Sequence, residues 1–343
     1  MLSSLIVLPL RSLIKPHDRP DAPDGQEIMR DPKLSREGRQ ARKLPRWSSR
    51  WLVAIGFKGG VALSKSGFTP EAMIGIAAAM FMALLVPAYS FLILRNRTPS
   101  FDAAAIAATY GSISAVTFIA AQQFLTRNDV DFGGQMTVAM VLMESPAIIM
   151  AVLLASWARS RAPTGALSPS VGAAAVTPQP VSIKAVLHEA FTDGAHLLLI
   201  GSLIIGYITG ENGKALMGPF TADIFKGILA FFLLEMGLLV ARQLREARGL
   251  SPFLVGFALV MPSVNALVAI GLAALLGMEQ GDAVLLAVLS ASGSYIVVPA
   301  ICRYAIPEAN PGRYFTMSLG FTFPFNIIVG IPLYYAVIQA IWR

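Results

Sequence analysis

A short polar run interrupts an apolar segment near the end of the chain. Inside a bilayer, every backbone polar group without a partner costs several kcal/mol, so such a run persists only where protein buries it or where it lines a wet cavity. We therefore predict a membrane-spanning helix that is broken near the middle of the bilayer. The run contains Ser290, Ser292, Gly293, Ser294 and Tyr295.

The composition agrees with a membrane protein. Of the 343 residues, 55% are hydrophobic and 14% are charged, and the mean hydropathy is +0.64. The net charge of +7 is spread over short loops between apolar segments, which is typical of loop charges that orient a protein in a bilayer and not of a nucleic-acid-binding face. The single cysteine, Cys302, excludes an intrachain disulfide and a multi-cysteine metal site. We therefore predict an all-α polytopic membrane protein that binds no nucleic acid.

The apolar segments divide the chain into two halves. Residues 1–50 are predicted to be an atypical, largely disordered and basic N-terminal segment. Residues 51–158 form the first transmembrane half, residues 159–182 a Pro-, Ala-, Ser- and Gly-rich cytoplasmic linker, and residues 183–343 the second half, which begins with a surface helix at 183–191. Nine spans are predicted, at 51–63, 71–94, 101–124, 135–157, 195–209, 219–240, 252–276, 282–305 and 315–342.

The loop charges favour one orientation. Arginines fall in alternate loops, and most of the loops between them are acidic, so the basic N-terminal tail is predicted to lie in the cytoplasm and the C-terminus outside. The basic loops contain Arg95, Arg97, Arg159, Arg161, Arg242, Arg245, Arg248, Arg303 and Arg313, and the opposite loops contain Glu71, Asp129, Asp131, Glu211, Glu279 and Asp282.

A second polar run supports an internal repeat. The third span carries Tyr110-Gly111-Ser112-Ile113-Ser114-Ala115-Val116-Thr117, in the place where the eighth span carries the first run. The span after each run contains a proline, Pro146 or Pro324, and we predict that both of these spans are broken as well. Since corresponding elements would run in opposite directions, the halves are predicted to be inverted repeats, with a binding site where the two broken helices meet.

The two breaks suit small charged ligands. Unwound carbonyls and hydroxyl oxygens are ligands for sodium, and the N-termini of half-helices favour an anion. The alternative is that the small residues only allow close helix packing.

A few polar residues elsewhere in the spans are further candidates. Glu144 lies in mid-span and could bind sodium or carry a proton, or it could be a structural carboxylate that bonds to backbone freed by Pro146. Asn265 and Asn326 could contact substrate or bridge helices. Lys58 and Glu235 are predicted to be structural, and the three histidines form no catalytic or metal-binding pattern.

These motifs resemble those of the sodium-dependent bicarbonate permease family (SbtA type), from about Leu52 to the C-terminus. The motifs that carry the resemblance are Ala54 to Leu63, Tyr110 to Phe118, Met143 to Ile149, Phe225-Lys226-Gly227, Leu234 to Gly237, Ser290 to Pro299, Pro307 to Pro311 and Gly320 to Pro332.

The resemblance implies an inverted-repeat transporter of ten helices with two discontinuous helices and with core and gate domains. It also implies a homotrimer in the bacterial inner membrane, with a periplasmic C-terminus here, and a possible cytoplasmic PII-like regulatory protein. Residues 1–50 do not match the family's first helix. We expect this helix to be missing or altered, or the segment at 1–14 to be a remnant of it.

The binding sites of the family lie between the two broken helices. Carried over to this sequence, they correspond to Ser112, Ser114, Thr117, Ser292, Gly293, Ser294 and Tyr295. Together with the other polar and glycine candidates of the spans, we predict a substrate set of Gly111, Ser112, Ser114, Gly293, Ser294 and Tyr295, and a sodium set of Thr117, Glu144, Ser290, Ser292 and Asn326.

The predicted function is sodium-coupled import of a small anion, most simply bicarbonate, by alternating access, with sodium as coupling ion and no cofactor. Three alternatives stay open. The chain could be a symporter of another small monocarboxylate, a membrane receptor or scaffold that binds a PII-like regulator without transport, or an intramembrane enzyme. We expect no enzymatic activity, because no catalytic pattern accompanies Glu144 or the serines.

Overall fold

The computed structural model describes residues 50–67, 69–161, 194–246, 249–295 and 297–342. These residues belong to one compact unit and are almost entirely helical, with no strand among them. The predictions for residues 1–49, for most of the linker and for the surface helix at 183–191 lie outside the described residues. In chain order the helices are α1 (Arg50–Ser66), α2 (Pro70–Leu94), α3 (Ser100–Gly111), α4 (Ala115–Arg127), α5 (Gln135–Arg161), α6 (Gly194–Gly218), α7 (Phe225–Glu246), α8 (Pro252–Leu275), α9 (Gln280–Ala291), α10 (Val297–Ala305) and α11 (Pro311–Ile341).

Five helical segments of the described part are long and apolar enough to cross a membrane. Their positions agree with predicted spans to within a few residues, which confirms an all-α polytopic membrane protein. The five segments are α2, the joined pair α3 and α4 (Ser100–Arg127), α5 (to Ser160), α8 and α11.

Helices α1 and α6 pack against each other through glycines. A Cβ atom on Gly60 would lie 2.0 Å from the carbonyl oxygen of Leu203, and one on Gly206 would lie 2.2 Å from that of Phe57. Only glycine permits backbones to approach this closely, as in other small-residue helix pairs of membranes. Further along α6, Gly210 has φ +52° and marks a kink within the helix.

Both polar runs break their helices, as the sequence predicted. The first break separates α3 from α4 and the second separates α9 from α10. At the start of α4 the Ser114 side chain accepts a hydrogen bond from the Thr117 amide at 3.2 Å, and at α10 the Ser294 side chain accepts one from the Val298 amide at 3.3 Å. Serine therefore restarts the helix after both breaks, by satisfying an amide that has no partner within the helix.

The two interrupted helices run in opposite directions. After α10, the Asn310 amide donates to Asp102 at the start of α3 at 2.6 Å, and Arg313 forms an ion pair with the same carboxylate. After α4, the Gly133 amide donates to Asp282 at the start of α9 at 2.7 Å. Because the end of each interrupted helix lies at the beginning of the other, the pair is antiparallel, as an inverted repeat requires.

The prolines in the spans after the breaks have different effects. Helix α5 continues through Pro146, so the predicted interruption there is wrong. A proline removes one backbone donor, and the rest of this 27-residue helix supports the turn. Near Pro324, by contrast, α11 widens into π-helical turns at Thr316–Thr322 and Asn326–Gly330. Such turns leave carbonyls outside the regular ladder and are frequent at functional sites.

Candidate functional site

The two breaks cross, and a backbone amide of each donates a hydrogen bond to the other half. The Ser294 amide donates to the carbonyl oxygen of Thr109 at 2.9 Å. In return, the Ser114 amide donates to the Ser292 hydroxyl at 3.0 Å. The Ser292 hydroxyl in turn donates to the carbonyl of Leu289 at 2.8 Å. Each half therefore provides hydrogen-bond partners for backbone groups that have lost their helical partners in the other half. Such groups need a partner because an unpaired polar group is costly in low-dielectric surroundings.

Hydroxyl groups extend this crossing. The Thr117 hydroxyl donates to the Ser114 hydroxyl at 2.8 Å, and the Ser114 hydroxyl donates to the Tyr295 hydroxyl at 3.1 Å. The Tyr295 ring packs edge-on against Phe323 with 5.6 Å between ring centroids. The chain Thr117–Ser114–Tyr295 thus links both breaks to α11 by side chains alone.

Two hydroxyls in this region have no hydrogen-bond partner in the described part of the protein. They belong to Ser112, in the first break, and Ser290, in the last turn of α9, and they are 1% and 2% exposed. A buried hydroxyl without a partner costs about 1–3 kcal/mol. These oxygens are therefore the atoms of the site that are best placed to gain from a bound ligand.

Both glycines of the predicted substrate set lie against neighbouring helices. A Cβ on Gly111 would lie 2.6 Å from the ring of Pro87 on α2, so this position must stay a glycine for α3 to approach that helix. Gly293 is looser, because a Cβ there would lie 3.4 Å from the Cβ of Ser318 and 3.7 Å from the Thr109 carbonyl.

Asn326 comes to the second break from α11. Its amide nitrogen donates to the Ala291 carbonyl, at the end of α9, at 2.9 Å, and its oxygen accepts from the Tyr334 hydroxyl at 2.9 Å. The Ala291 carbonyl is one of those that the break deprives of a helical donor. In this structure Asn326 bridges helices, which is one of the two roles that the sequence allowed.

The other polar candidates lie on neighbouring helices. Glu144 is buried on α5, which packs against α10. Asn265, on α8, accepts a hydrogen bond from Tyr89 of α2 at 2.5 Å and so also bridges helices. Lys58 and Glu235 are exposed, on α1 and α7. These four residues therefore lie on helices other than the two interrupted ones.

Sequence reasoning did not single out the tyrosine and threonine that support the first break. The hydroxyls of Tyr110 and Thr322 lie 2.6 Å apart, and the Thr322 hydroxyl is 2.8 Å from the carbonyl of Ala258, to which it donates. The Tyr110 ring also packs edge-on against Phe257 at 5.3 Å. Tyr110 is part of a recognised motif, but the identity of its partner depends on how α3 packs against α8 and α11.

The two aspartates at the starts of the interrupted helices were also missed as a pair. Asp102 and Asp282 are both the third residue of their helices, and the sequence separation between them equals that between Ser112 and Ser292. This equality was the signal that could have identified them. Their side-chain partners differ in charge. Asp282 accepts a hydrogen bond from the neutral side chain of Gln135, whereas Asp102 forms an ion pair with Arg313.

No metal-binding group of three His, Cys, Asp or Glu side chains occurs among the described residues. What the crossing offers is neutral oxygens and the N-termini of two half-helices. The fold and the site together define a polytopic membrane protein in which two antiparallel interrupted helices cross in the interior, as in transporters built from inverted repeats.

The chain belongs to the Na⁺-dependent bicarbonate transporter superfamily, whose family model matches residues 48–339. No curated protein matches the chain significantly. The family confirms the resemblance seen in the motifs, and it is a family of transporters. The absence of enzymatic activity stays a prediction. The predictions of a homotrimer, of a PII-like regulator, of the bacterial inner membrane and of the orientation of the termini stay predictions.

Proposed function

We propose that this protein is a symporter that couples sodium entry to import of a small anion, most favourably bicarbonate, by alternating access. The observation that carries the proposal is the pair of buried hydroxyls, on Ser112 and Ser290, that have no hydrogen-bond partner among the described residues where two interrupted helices cross. Membership of a sodium-dependent bicarbonate transporter family supports the ion and the anion.

Sodium is a hard cation that takes oxygen ligands, and the crossing supplies neutral oxygens. The hydroxyl of Ser290, and that of Ser112, which the sequence placed in the substrate set, would gain a partner on sodium binding. The carbonyls freed at the ends of α3 and α9 are further ligands. Asn326 fixes one such carbonyl, that of Ala291. Thr117, Ser292 and Glu144 complete the proposed sodium set, with Glu144 acting from α5.

The anion would bind at the N-termini of α4 and α10, where helix dipoles favour negative charge. Bicarbonate is planar and singly charged, so backbone amides and hydroxyls can hold it without an arginine. The amides of Ser114 and Ser294 are already used to hold the breaks together. Anion binding would therefore exchange these hydrogen bonds for bonds to the anion, and the crossing would loosen as the site fills.

This exchange supplies a physical route to coupling. Sodium at the freed oxygens would add positive charge beside the amides of Ser114 and Ser294, which must release their present acceptors to bind the anion. Each ligand then favours the state that binds the other, and the coupling is reciprocal, as linkage requires.

The test is uptake of labelled bicarbonate into proteoliposomes with an inward sodium gradient, compared with potassium in its place. We expect uptake that requires sodium and collapses with a sodium ionophore. Ser112→Ala and Ser290→Ala should raise the sodium concentration for half-maximal uptake about tenfold, the effect of losing about 1.4 kcal/mol of binding.

Ser90→Ala is the matched control. Its hydroxyl is also buried without a partner in the described residues, but it belongs to α2, about one turn beyond Pro87, and not to either break. Equal sodium dependence in all three variants would remove Ser112 and Ser290 from the sodium site. Stronger competition by formate or acetate than by unlabelled bicarbonate would identify another monocarboxylate as the substrate.

A further inference from the structure

An apolar cleft lies between the end of α2 and the beginning of α8, outside the crossing. It is an open groove of about 290 Å³, lined by Ile93, Phe253, Gly256, Phe257, Val260 and Met261. The lining residues of α8 extend from Phe253 to Met261, so the cleft runs along the helix for about 12 Å at 1.5 Å per residue. Its shape and lining suit a hydrocarbon chain lying along a helix.

One end of this cleft is positively charged. The guanidinium carbon of Arg97 lies 5.7 Å from the centre of the Phe253 ring, so the arginine is in contact with a residue that lines the cleft. Arg95, in the same short loop, is also exposed, and neither the loop 95–99 nor the residues 249–251 before α8 contain an acid.

The beginning of α8 adds to this field. Ser251 caps the helix by accepting a hydrogen bond from the Leu254 amide at 3.4 Å, and the N-terminus of a 24-residue helix carries a partial positive charge. An apolar cleft with a cationic end complements a molecule with a hydrocarbon chain and an anionic head.

We propose that this cleft binds an anionic phospholipid of the surrounding bilayer, with an acyl chain along α8 and the phosphate beside Arg97. The apolar lining favours the chain through the hydrophobic effect, and basic residues near a membrane surface attract anionic headgroups. The arginine also retains its contact with the face of Phe253.

Side-chain packing connects the cleft to the first break. Phe257 lines the cleft, and it packs against Tyr110, which lies in the last turn of α3, just before the first break. A chain in the cleft therefore contacts the side chain that supports Tyr110. The binding site itself does not depend on the transported anion, so it can be tested without transport.

Substitution of a glycine in the lining can fill the cleft without a clash. A Cβ added to Gly256 would meet no atom within 4 Å, and the same is true of Gly271 further along α8. Gly256→Leu therefore occupies the space of the acyl chain, whereas Gly271→Leu makes the same chemical change on the same helix away from the cleft.

The experiment uses the full chain, purified and delipidated in detergent, with phosphatidylglycerol or phosphatidylcholine added. Bound lipid is counted by native mass spectrometry, and the thermal unfolding midpoint is measured in parallel. We expect the wild type and Gly271→Leu to retain phosphatidylglycerol and to gain thermal stability from it, and Gly256→Leu to lose both effects. Val260→Trp, which fills the same cleft from an exposed position, should behave like Gly256→Leu and serves if that variant does not fold.

The charge is tested separately. Arg97→Gln should lower the preference for phosphatidylglycerol over phosphatidylcholine about fivefold, the effect of about 1 kcal/mol for one basic residue at a membrane surface. Arg127→Gln, at the exposed end of α4, is the control and should preserve the preference. Equal lipid retention by Gly256→Leu and Gly271→Leu would overturn the site, and an unchanged preference in Arg97→Gln would overturn the role of the arginine.

Discussion

The amide of Ser294 donates a hydrogen bond to the carbonyl oxygen of Thr109 at 2.9 Å, and this bond joins the two interrupted helices backbone to backbone. No side-chain truncation can delete it. The two halves therefore hold each other at a point where neither could satisfy its own polar groups, and the crossing can open only if other donors and acceptors replace the ones it uses.

The contact between Tyr110 and Thr322 should stabilise the first break measurably. Tyr110→Phe keeps the ring against Phe257 but removes the hydroxyl, and we expect a loss of about 1 kcal/mol, typical of hydrogen bonds between membrane helices. A double-mutant cycle with Thr322→Val, followed by unfolding in detergent with added denaturant, measures the coupling. A coupling energy of zero would contradict a direct bond between the two hydroxyls.

The two repeat-related aspartates should differ in what they contribute. Asp102→Asn leaves Arg313 without its anionic partner, whereas Asp282→Asn keeps an oxygen that can accept from the Gly133 amide. We expect Asp102→Asn to lower the free energy of unfolding by about 1–2 kcal/mol more than Asp282→Asn does, since a lone charge costs more than a weakened neutral contact. Thermal unfolding of both variants in the same detergent checks the order. Equal losses would show that the charge of Arg313 is already satisfied by solvent.

The glycine contact between α1 and α6 should tolerate no added methyl group. Gly60→Ala places a Cβ 2.0 Å from the Leu203 carbonyl oxygen, so the helices must separate, at a cost of about 1–3 kcal/mol. Gly201→Ala on α6 is the control, because its Cβ would meet nothing within 4 Å. A loss of unfolding free energy in Gly60→Ala alone, measured in detergent, is the expected result. Similar behaviour of the two variants would mean that α1 and α6 can separate without cost.

The ion pair of Arg159 with Glu308 should give a pH-dependent stability. Burial is the largest single influence on the pKa of Glu308 and raises it. The hydrogen bonds from Arg159, at 2.9 Å to each carboxylate oxygen, a backbone hydrogen bond and the positive charge of Arg159 together outweigh burial, so the pKa is lowered. A lowered folded-state pKa means that the stabilisation is complete above the unfolded value of about 4.3 and is lost as the pH falls through the folded value.

Glu308→Gln supplies the comparison for this prediction. The thermal midpoint of the wild type should exceed that of Glu308→Gln by a constant amount between pH 6 and 8. The difference should begin to shrink as the pH falls through about 4.3 and should disappear at still lower pH, below the folded-state pKa. A difference that persisted in acid would mean that the carboxylate contributes by packing and not by its charge.

Much of the architecture could be predicted from the sequence because lipid leaves few choices. Apolar segments of sufficient length must be helices, and hydroxyl-rich runs such as 290–295 must break them where protein can satisfy the backbone. The repeat of Ser112 and Ser114 at Ser292 and Ser294 indicated the second break and the inverted halves. The prediction at Pro146 failed because a long helix with neighbours on several sides tolerates one missing donor.

The sequence by itself determined the class of protein, the two breaks and the serines that restart the helices, since these depend on hydrophobicity and local hydrogen bonding. Only the tertiary structure decided which groups meet: Ser294 with Thr109, Tyr110 with Thr322, and Asp102 with Arg313. It also left the hydroxyls of Ser112 and Ser290 with no partner among the described residues. Such pairs join residues far apart in the chain, and their identity depends on the distance and rotation between packed helices, which no local pattern contains.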